Sequence, residues 1–461
     1  MDEEPLTRRI DSSGMVWSWA AEALRILVNI VVGMLLVRYL SPTDYGIYNY
    51  SLSLVLLFLQ FSVLGMGMPL CRRAVFSPAN ILLGTGFVLQ GVAALFSEAV
   101  LCLFVFLFIE DDTLRIIILI MSLSILTTPF LLIGDYFTAI NKMKYNAFAK
   151  HASTGATNAA KLLLILLGAP LAAFSGVLVI DLGVWATGLV IAYRRYGSAG
   201  SAWQFNGNTA RDLLRESWPL WLSSFFFVLS SRLDQILIRH FLDDRAVGLY
   251  SAAIMVSEAW YFLPAILATA FLAKLSEMES KQPAAFASHL QELYVALALT
   301  GITIALPTSL LAPTVIPLLF GPDYASSAVV LSIHIWAGLF YAVGQATYLW
   351  TITKQKQNYY LIFVLLRAVT SLALNMVLIP RHGLQGAAFA TLIAQAMGTF
   401  LFPLFFPSTR PLVAMSLRAF NPLHHVRLLR QVILLTYSHL RATSPTAPQG
   451  GVDNNPSGKH R

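Results

Sequence analysis

Basic side chains occur inside several of the long apolar stretches of this 461-residue chain. A charge within a membrane-spanning segment costs roughly 3 kcal/mol unless it faces a cavity or a partner, so each is a candidate functional residue. The basic candidates are Arg25, Lys161, Arg232 and Arg367. Arginine binds phosphate through paired, charge-assisted hydrogen bonds, so this set favours an anionic, pyrophosphate-containing ligand over an organic cation.

The acidic candidates are Glu22, Asp234 and Glu258, which could neutralise those cations or bind a coupling cation. Glu22 lies three residues before Arg25, on the same helix face, either as a self-neutralised pair or as part of a cavity wall. Arg232 and Asp234 are two residues apart and therefore point in different directions. At least one of them must face another helix or water, and Glu258 is a potential partner for Arg232.

Lys161 and Arg367 lie in corresponding segments of the two halves of the chain. Either could instead extend its charged end to the membrane surface, an alternative that the sequence favours for Arg367. Glu98 and Asp181 are weaker candidates. His334 is interpreted as a hydrogen-bonded packing residue rather than a proton relay.

The elements that must position these residues are membrane helices. The chain is 57% hydrophobic and only 12% charged, whereas a soluble domain carries about 25% charged residues. The net charge of +8 does not indicate nucleic-acid binding, because the basic residues lie in loops beside apolar segments, where they fix topology. Cys71 and Cys102 lie in or beside apolar segments without metal-type spacing, so we expect neither a disulfide nor a metal site.

About twelve segments are long and apolar enough to span a bilayer, which needs about 20 residues. They are Met15–Val37, Tyr45–Leu64, Ile81–Phe108, Ile116–Ile133, Ala147–Leu167, Leu171–Ala192, Pro219–Ile238, Val247–Leu272, Leu293–Leu311, Ala325–Thr351, Leu361–Ile379 and Gly386–Phe406.

Loops that are rich in lysine and arginine alternate along the chain with loops that are not. These basic residues concentrate in the N-terminus and in every second loop: Arg8, Arg9, Arg72, Arg73, Lys142, Lys144, Lys150, Arg194, Arg195, Arg211, Arg215, Lys274, Lys281, Lys354 and Lys356. The opposite loops are acidic or mixed. Because basic loops stay in the cytoplasm, both termini are predicted to be cytoplasmic.

The chain contains two copies of the same pattern. Tyr45-Gly46-Ile47-Tyr48 follows a polar turn after Arg38, and Val247-Gly248-Leu249-Tyr250 follows a polar turn after Arg239. Lys142-Met143-Lys144-Tyr145-Asn146 is echoed by Lys354-Gln355-Lys356-Gln357-Asn358. The predicted fold is therefore all-α: a polytopic membrane protein of about twelve transmembrane helices, in two pseudo-symmetric six-helix bundles around a central cavity.

The predicted domain boundaries follow from these segments. They are a cytoplasmic N-terminus (1–13), an N-terminal six-helix bundle (14–196), a cytoplasmic linker (197–216), a C-terminal six-helix bundle (217–407), a basic amphipathic cytoplasmic segment (408–441) and a disordered tail (442–461). Residues 422–441 suit a helix lying on the inner membrane surface.

Motifs for enzyme chemistry are missing from the sequence. It contains neither a Gly-x-x-x-x-Gly-Lys-Ser/Thr phosphate loop nor a His-Glu-x-x-His metal motif, so we expect no ATP hydrolysis, no cofactor and no enzyme activity. A membrane enzyme acting through Glu22, Asp234 or Glu258 is the poorer hypothesis.

From Glu22 to Pro407 the chain resembles the polysaccharide (O-antigen, Wzx-type) flippases of the multidrug/oligosaccharidyl-lipid/polysaccharide exporter superfamily. The resemblance lies in an ordered motif series. Its pieces are Val37-Arg38-Tyr39-Leu40-Ser41-Pro42-Thr43-Asp44-Tyr45-Gly46, Ser231-Arg232-Leu233-Asp234-Gln235, Ala246-Val247-Gly248-Leu249-Tyr250-Ser251-Ala252-Ala253, Tyr261-Phe262-Leu263-Pro264, Gly321-Pro322-Asp323-Tyr324 and Leu374-Asn375-Met376-Val377-Leu378-Ile379-Pro380. Glu22 and Arg25 also fall where such proteins carry a Glu and an Arg.

The resemblance implies twelve or fourteen spans and alternating access. It implies movement of undecaprenyl-pyrophosphate-linked oligosaccharide from the inner to the outer leaflet of the bacterial cytoplasmic membrane, in the biosynthesis of O-antigen, exopolysaccharide or a similar surface glycan. The implied partners are that lipid-linked oligosaccharide, membrane lipids and a polymerase or other glycan-assembly proteins, with no nucleic acid. The basic tail after Pro407 does not match the pattern.

Two other hypotheses stay open. A cation-coupled multidrug or organic-cation exporter of the same superfamily would use Glu22, Asp234 and Glu258 to bind its coupling cation. A membrane enzyme, or a structural partner in a glycan-assembly complex, would move no lipid by itself.

Overall fold

A computed structural model describes residues 12–74, 76–197 and 202–421, and within these the side chains of all residues except 12–24, 273, 280, 283 and 284. Every regular element in these ranges is a helix. Arg8 and Arg9, residues 422–441 and the tail 442–461, on which the sequence made predictions, lie outside the described residues.

The helices of the first half follow one another across short turns. They are α1 (Ser12–Tyr39), α2 (Pro42–Val63), α3 (Gly67–Arg73), α4 (Ala79–Phe108), α5 (Asp112–Ser122), α6 (Thr128–Ala139), α7 (Met143–Leu166) and α8 (Leu171–Tyr196). A 3-10 segment, Leu123–Thr127, joins α5 to α6, so that the two helices together form one span.

The second half repeats this plan. Its helices are α9 (Gly207–Phe241), α10 (Asp244–Glu258), α11 (Phe262–Lys281), α12 (Pro283–Phe320), α13 (Ser327–Thr353), α14 (Gln357–Phe400) and α15 (Arg410–Arg418). Helix α9 begins inside the segment 197–216 that the sequence predicts to be a linker. Helix α15 lies in the predicted basic segment 408–441.

Eight helical segments of the described residues are long and apolar enough to cross a membrane by length and composition. One of them, Gln357–Phe405, bends at Gly383, whose φ of +58° breaks α14 into two spans. Helices α1, α7 and α9 supply the others, and α7 and α9 are less apolar because they carry charged and polar residues. The prediction of an all-α protein with about twelve spans in two bundles is confirmed.

The duplicated turn after Arg38 and Arg239 has the same structure in both halves. Ser41 caps α2 by accepting a hydrogen bond from the Asp44 amide, and Asp243 caps α10 by accepting one from the Ala246 amide. A polar side chain at this position satisfies an N–H group that the helix leaves unpaired. Both copies therefore start a span at the same point of the motif.

The turn at Lys142 and its repeat in the second half have the same structure, but they align differently from the sequence echo. Asn141 and Gln355 adopt left-handed backbone angles, with φ of +57° and +55°. Lys142 and Lys356 follow them and immediately precede α7 and α14. Lys142 therefore corresponds to Lys356, and not to Lys354 as the sequence echo indicates.

Two spans on the border between the bundles are interrupted. The second span breaks between α2 and α3, where Leu64 and Gly65 have φ of +53° and +64°. The eighth breaks between α10 and α11, directly after Glu258. Irregular backbone at membrane depth is tolerated where protein or a water-filled cavity surrounds it. The first break is surrounded by protein, because a Cβ atom on Gly65 would lie only 2.5 Å from the backbone nitrogen of Trp221.

Candidate functional site

The two copies of the duplicated glycine meet at the end of the molecule where α2 and α10 begin. A Cβ atom on Gly46 would lie 1.7 Å from the carbonyl oxygen of Asp244, and one on Gly248 would lie 1.8 Å from the carbonyl oxygen of Pro42. Each glycine contacts the residue four positions before the other, so the contact is reciprocal. Only glycine allows backbones to approach this closely.

Further contacts join the halves around this glycine contact. The Tyr324 hydroxyl donates a hydrogen bond to the Leu40 carbonyl at 3.1 Å, and the Tyr324 ring meets that of Tyr45 edge-on. The Arg239 guanidinium lies 4.4 Å from the centre of the Tyr50 ring and pairs with Asp244 at 2.6 Å. The largest buried apolar cluster contains residues of both halves. This end, which the loop charges predict to be external, is closed.

An ion cluster joins the halves at the opposite end. Arg73 contacts Glu216 at 2.6 Å and Asp212 at 3.3 Å, and Arg72 contacts Glu216 at 3.0 Å. The hydrogen bond from Arg73 is the main reason why the pKa of Glu216 lies below its ordinary value. Nearby, the Trp221 indole donates to the Gln60 carbonyl at 3.0 Å.

A cavity of about 240 Å³ lies between these two ends, among α9, α10, α13, α14 and the break before α11. It brings together four of the seven predicted site residues: Arg232, Asp234, Glu258 and Arg367. Neutral polar residues complete much of its wall: Ser230, Ser231, Gln235, Tyr250, Tyr261, Tyr341, His334, Thr391 and Gln395.

Asp234 is fixed by three neutral donors from other helices. Its carboxylate accepts hydrogen bonds from Tyr250 at 2.7 Å, Thr391 at 2.6 Å and Asn375 at 2.7 Å. The side chain is only 5% exposed. Since charge-assisted hydrogen bonds are stronger than neutral ones, this carboxylate ties α9 to α10 and α14. Asp234 therefore faces other helices, which agrees with the expectation that at least one of Arg232 and Asp234 does so.

Arg232 and Glu258 both line the cavity. Arg232 is half-buried, and Glu258 is exposed at the break between α10 and α11. The two charges interact electrostatically. Within the described residues, neither side chain forms a hydrogen bond or an ion pair. Glu258 therefore attracts Arg232 without a hydrogen bond, and the N–H donors of the Arg232 guanidinium stay free.

Arg367 lies at the junction of this cavity with a smaller one of about 60 Å³. Its Nη1 atom donates to Gln395 at 3.2 Å, while its buried Nε atom has no acceptor in the described part of the chain. The guanidinium lies 5.9 Å from the centre of the Phe227 ring. Arg367 points into the bundle, so the alternative that it extends to the membrane surface does not hold.

The candidates of the first half lie apart from this cavity. Lys161 on α7 interacts electrostatically with Asp181 on α8, and Asp181 accepts hydrogen bonds from Ser153 and Thr157. Arg25 on α1 is half-buried, whereas the side chain of Glu22 lies outside the described residues. Helices α1 and α7 are joined by a hydrogen bond of 2.8 Å from Asn158 to Asn29.

Several neutral residues of the site were not singled out from the sequence. Tyr250 and Asn375 are within the quoted motifs, and that membership was the signal that could have identified them. Thr391 and Gln395 carry no such signal, because an isolated polar residue in an apolar helix has many structural uses. His334 accepts or donates a 2.8 Å hydrogen bond with Ser257 in the interior, which fits a packing role.

Residues 13–273, more than half of the chain, match the family described as "Polysaccharide biosynthesis protein". The chain belongs to this family. No curated protein matches the sequence significantly.

Solved structures of transporters share the fold. A structure of the lipid II flippase MurJ in an inward closed conformation superposes with a TM-score of 0.70 at 15% identity, covering 94% of each chain. An inward-facing multidrug resistance MATE transporter of the MOP superfamily gives a TM-score of 0.63 at 11% identity, covering 84% of this chain and 96% of its own. An outward-facing MATE transporter of the MOP superfamily gives a TM-score of 0.54 at 13% identity, covering 92% of this chain and 94% of its own. These identities establish the fold alone. The family match and the shared fold agree with the resemblance that the sequence motifs indicate.

Proposed function

We propose that the protein is a flippase that moves undecaprenyl-pyrophosphate-linked oligosaccharide from the inner to the outer leaflet of the bacterial cytoplasmic membrane by alternating access. The glycan and the pyrophosphate cross through the space between the bundles while the lipid tail stays in the bilayer. The family assignment to polysaccharide biosynthesis and the transporter fold support this proposal.

The observation that carries the proposal is the pair of arginines at one polar cavity. Arg232 has no hydrogen-bonded partner within the described residues, and the Nε atom of Arg367 has no acceptor there. Free guanidinium donors suit pyrophosphate, because the fork of N–H groups binds two oxygens at once. Arg25 and Lys161 in the first half would add positive charge when the bundles rearrange around the cargo.

The acids have different roles in this proposal. The Asp234 carboxylate already accepts hydrogen bonds from three donors, so it acts as a positioning residue for α9. The negative charge of Glu258 balances the positive charge of Arg232 while the cavity is empty, and a bound anion takes over this role. Glu22 would form the pair with Arg25 that their spacing on one helix face allows.

The orientation of the chain follows from its loop charges. The ion cluster of Arg73 and Glu216 faces the cytoplasm, together with both termini. The contact of Gly46 and Gly248 closes the external end, and the ion cluster of Arg73 and Glu216 must separate before the cavity can receive cargo from the inner leaflet. Residues 14–196 and 217–407 would move against each other as two bundles, connected through the segment 197–216.

A reconstituted system tests this function directly. Purified protein is incorporated into liposomes that contain undecaprenyl-pyrophosphate-linked oligosaccharide, and a membrane-impermeant glycosidase is added outside. We expect the protein to raise the accessible fraction above the half exposed at the start, and Arg232→Ala to slow this rise. Arg381→Ala, which removes an exposed arginine of α14 that does not line the cavity, serves as the matched control.

The same preparation separates the flippase from the exporter hypothesis. Glu258 is an exposed carboxylate on the cavity wall and is the residue that would bind a coupling cation or a cationic drug. If the liposomes move an organic cation but leave the lipid-linked oligosaccharide protected, the flippase proposal is wrong. If Glu258→Gln leaves lipid movement intact, Glu258 has no essential coupling role.

A further inference from the structure

A wide apolar groove lies on the surface between the start of α7 and the end of α8. Its volume is about 820 Å³, within the range of about 300–1,000 Å³ that is typical of ligand sites. Small residues form its floor, including Ala149, Ala152 and Gly183, and the walls carry the exposed side chains of Phe148 and Ile191. This surface is distinct from the cavity of Arg232.

The mouth of the groove is basic. Lys144 and Arg195 line it, each lying against the ring of its neighbour, Tyr145 or Tyr196. These two rings stack on each other with centres 4.5 Å apart. Within the described residues, neither cation is paired with a carboxylate. Residues 142–152 and 183–196 contain no Asp or Glu, so the mouth carries uncompensated positive charge.

The corresponding place in the second half is built differently. Because Lys142 corresponds to Lys356, Ala149 corresponds to Phe363. Phe363 is buried and packs against Phe406, with ring centres 6.1 Å apart. In the same register Lys144 corresponds to Asn358, which carries no charge. The open groove and its free charge are therefore particular to the first half and do not follow from the shared fold.

We propose that this groove binds a membrane phospholipid with an anionic headgroup. The phosphate lies between Lys144 and Arg195, and one acyl chain runs along Ala152 and Gly183 towards the membrane centre. Basic pockets between helices at the cytoplasmic surface select anionic lipids in this way. The assignment to the inner leaflet rests on the orientation given above, but the site itself is independent of the cargo.

Native mass spectrometry tests the site with the full-length protein. The protein is released from nanodiscs of phosphatidylcholine that contain increasing phosphatidylglycerol, without any polyprenyl lipid. We expect one tightly retained phosphatidylglycerol in the wild type. Two cations near the surface favour an anionic lipid by about thirtyfold together, so Lys144→Gln with Arg195→Gln should weaken retention by about that factor.

Two further variants distinguish the groove from general surface charge. Arg211→Gln with Lys274→Gln removes two exposed cations of the same predicted side and should leave retention unchanged. Gly183→Leu keeps both groove cations but fills the acyl path. It should fold normally, because a Cβ atom at Gly183 meets nothing within 4 Å. We expect Gly183→Leu to lose the lipid.

Four results would overturn the proposal. They are equal losses in the groove and control double variants, unchanged retention in Gly183→Leu, equal retention of phosphatidylcholine and phosphatidylglycerol, and displacement of the lipid by inorganic phosphate. The last would indicate a simple anion site. Because no cargo is present, failure here would not affect the flippase proposal.

Discussion

Replacing Gly46 or Gly248 with alanine should open the end of the molecule that is proposed to be external. The Cβ atom of Gly46→Ala would lie 1.7 Å from the Asp244 carbonyl oxygen, and ordinary contact begins at 3.4 Å, so α2 and α10 must separate by about 1.7 Å. The obstacle is backbone, which cannot rotate away as a side chain can. Gly248→Ala meets the Pro42 carbonyl in the same way.

The size of the effect follows from the cost of overpacking. An extra methyl group forced into a packed interface costs about 1–3 kcal/mol. If the whole cost falls on the closed conformation, the ratio of closed to open molecules falls by about 5- to 150-fold. Since both substitutions break one reciprocal contact, the double variant should be less than additive.

Pulsed electron spin resonance can measure this change. Spin labels at Glu110 and Ala325, exposed in the two halves on the predicted external side, report the opening in a background with Cys71→Ser and Cys102→Ser. We expect Gly46→Ala to add a population of long distances and to slow lipid movement in liposomes.

Gly91→Ala in α4 is the matched control, because its Cβ atom meets nothing within 4 Å. It should retain the distance distribution of the labelled parent. If Gly46→Ala and Gly248→Ala both retain that distribution as well, the glycine contact does not close the external end and the reasoning fails.

Three other predictions follow from the site and the ion cluster. Arg232→Lys should complement a deletion strain nearly as poorly as Arg232→Ala, because one ammonium group cannot replace the guanidinium fork; full surface glycan with the lysine variant would contradict paired phosphate binding. Asp234→Ala leaves three donors without their acceptor at about 1–3 kcal/mol each, so it should reduce the amount of folded protein in the membrane, measured by size-exclusion of a fluorescent fusion, with a smaller loss for Asp234→Asn. Glu216→Gln should lower the thermal stability of the solubilised protein at pH 7 by roughly 0.5–1 kcal/mol. Because the pKa of Glu216 is lowered by Arg73, this contribution is present above the unfolded pKa of 4.5 and is lost as the pH falls through the folded value, so the difference between wild type and variant should vanish in acid; a difference that is constant with pH would contradict the ion-pair explanation.

Much of the architecture could be predicted from the sequence, because a bilayer imposes simple rules. The length of the apolar segments predicted the spans. The repeated Tyr45-Gly46 and Val247-Gly248 motifs predicted that the chain consists of two similar halves. The sequence could not show that these two glycines touch each other. That contact depends on how the bundles pack, which no local pattern encodes. The same limitation explains the shifted register of Lys142 and Lys356, because two closely spaced lysines offer two alignments.

The site was predictable by residue type and not by geometry. Charge within apolar segments identified Arg232, Asp234, Glu258 and Arg367, since such residues need a cavity or a partner. Hydropathy does not record which way a helix faces, so the expectation that Arg367 extends to the membrane surface was wrong. The neutral donors to Asp234 lie 16, 141 and 157 residues away in the chain, on α10 and α14, and become its partners only when the helices pack.

The most direct test of the proposed function uses a strain that lacks the protein. The leaflet in which undecaprenyl-pyrophosphate-linked oligosaccharide collects is measured together with the surface glycan, in the deletion strain and after complementation with wild type or Arg232→Ala. We predict that the intermediate accumulates in the inner leaflet and the glycan is lost, and that only the wild type restores both. An intermediate that reaches the outer leaflet normally in the deletion strain, with normal glycan, would contradict the account.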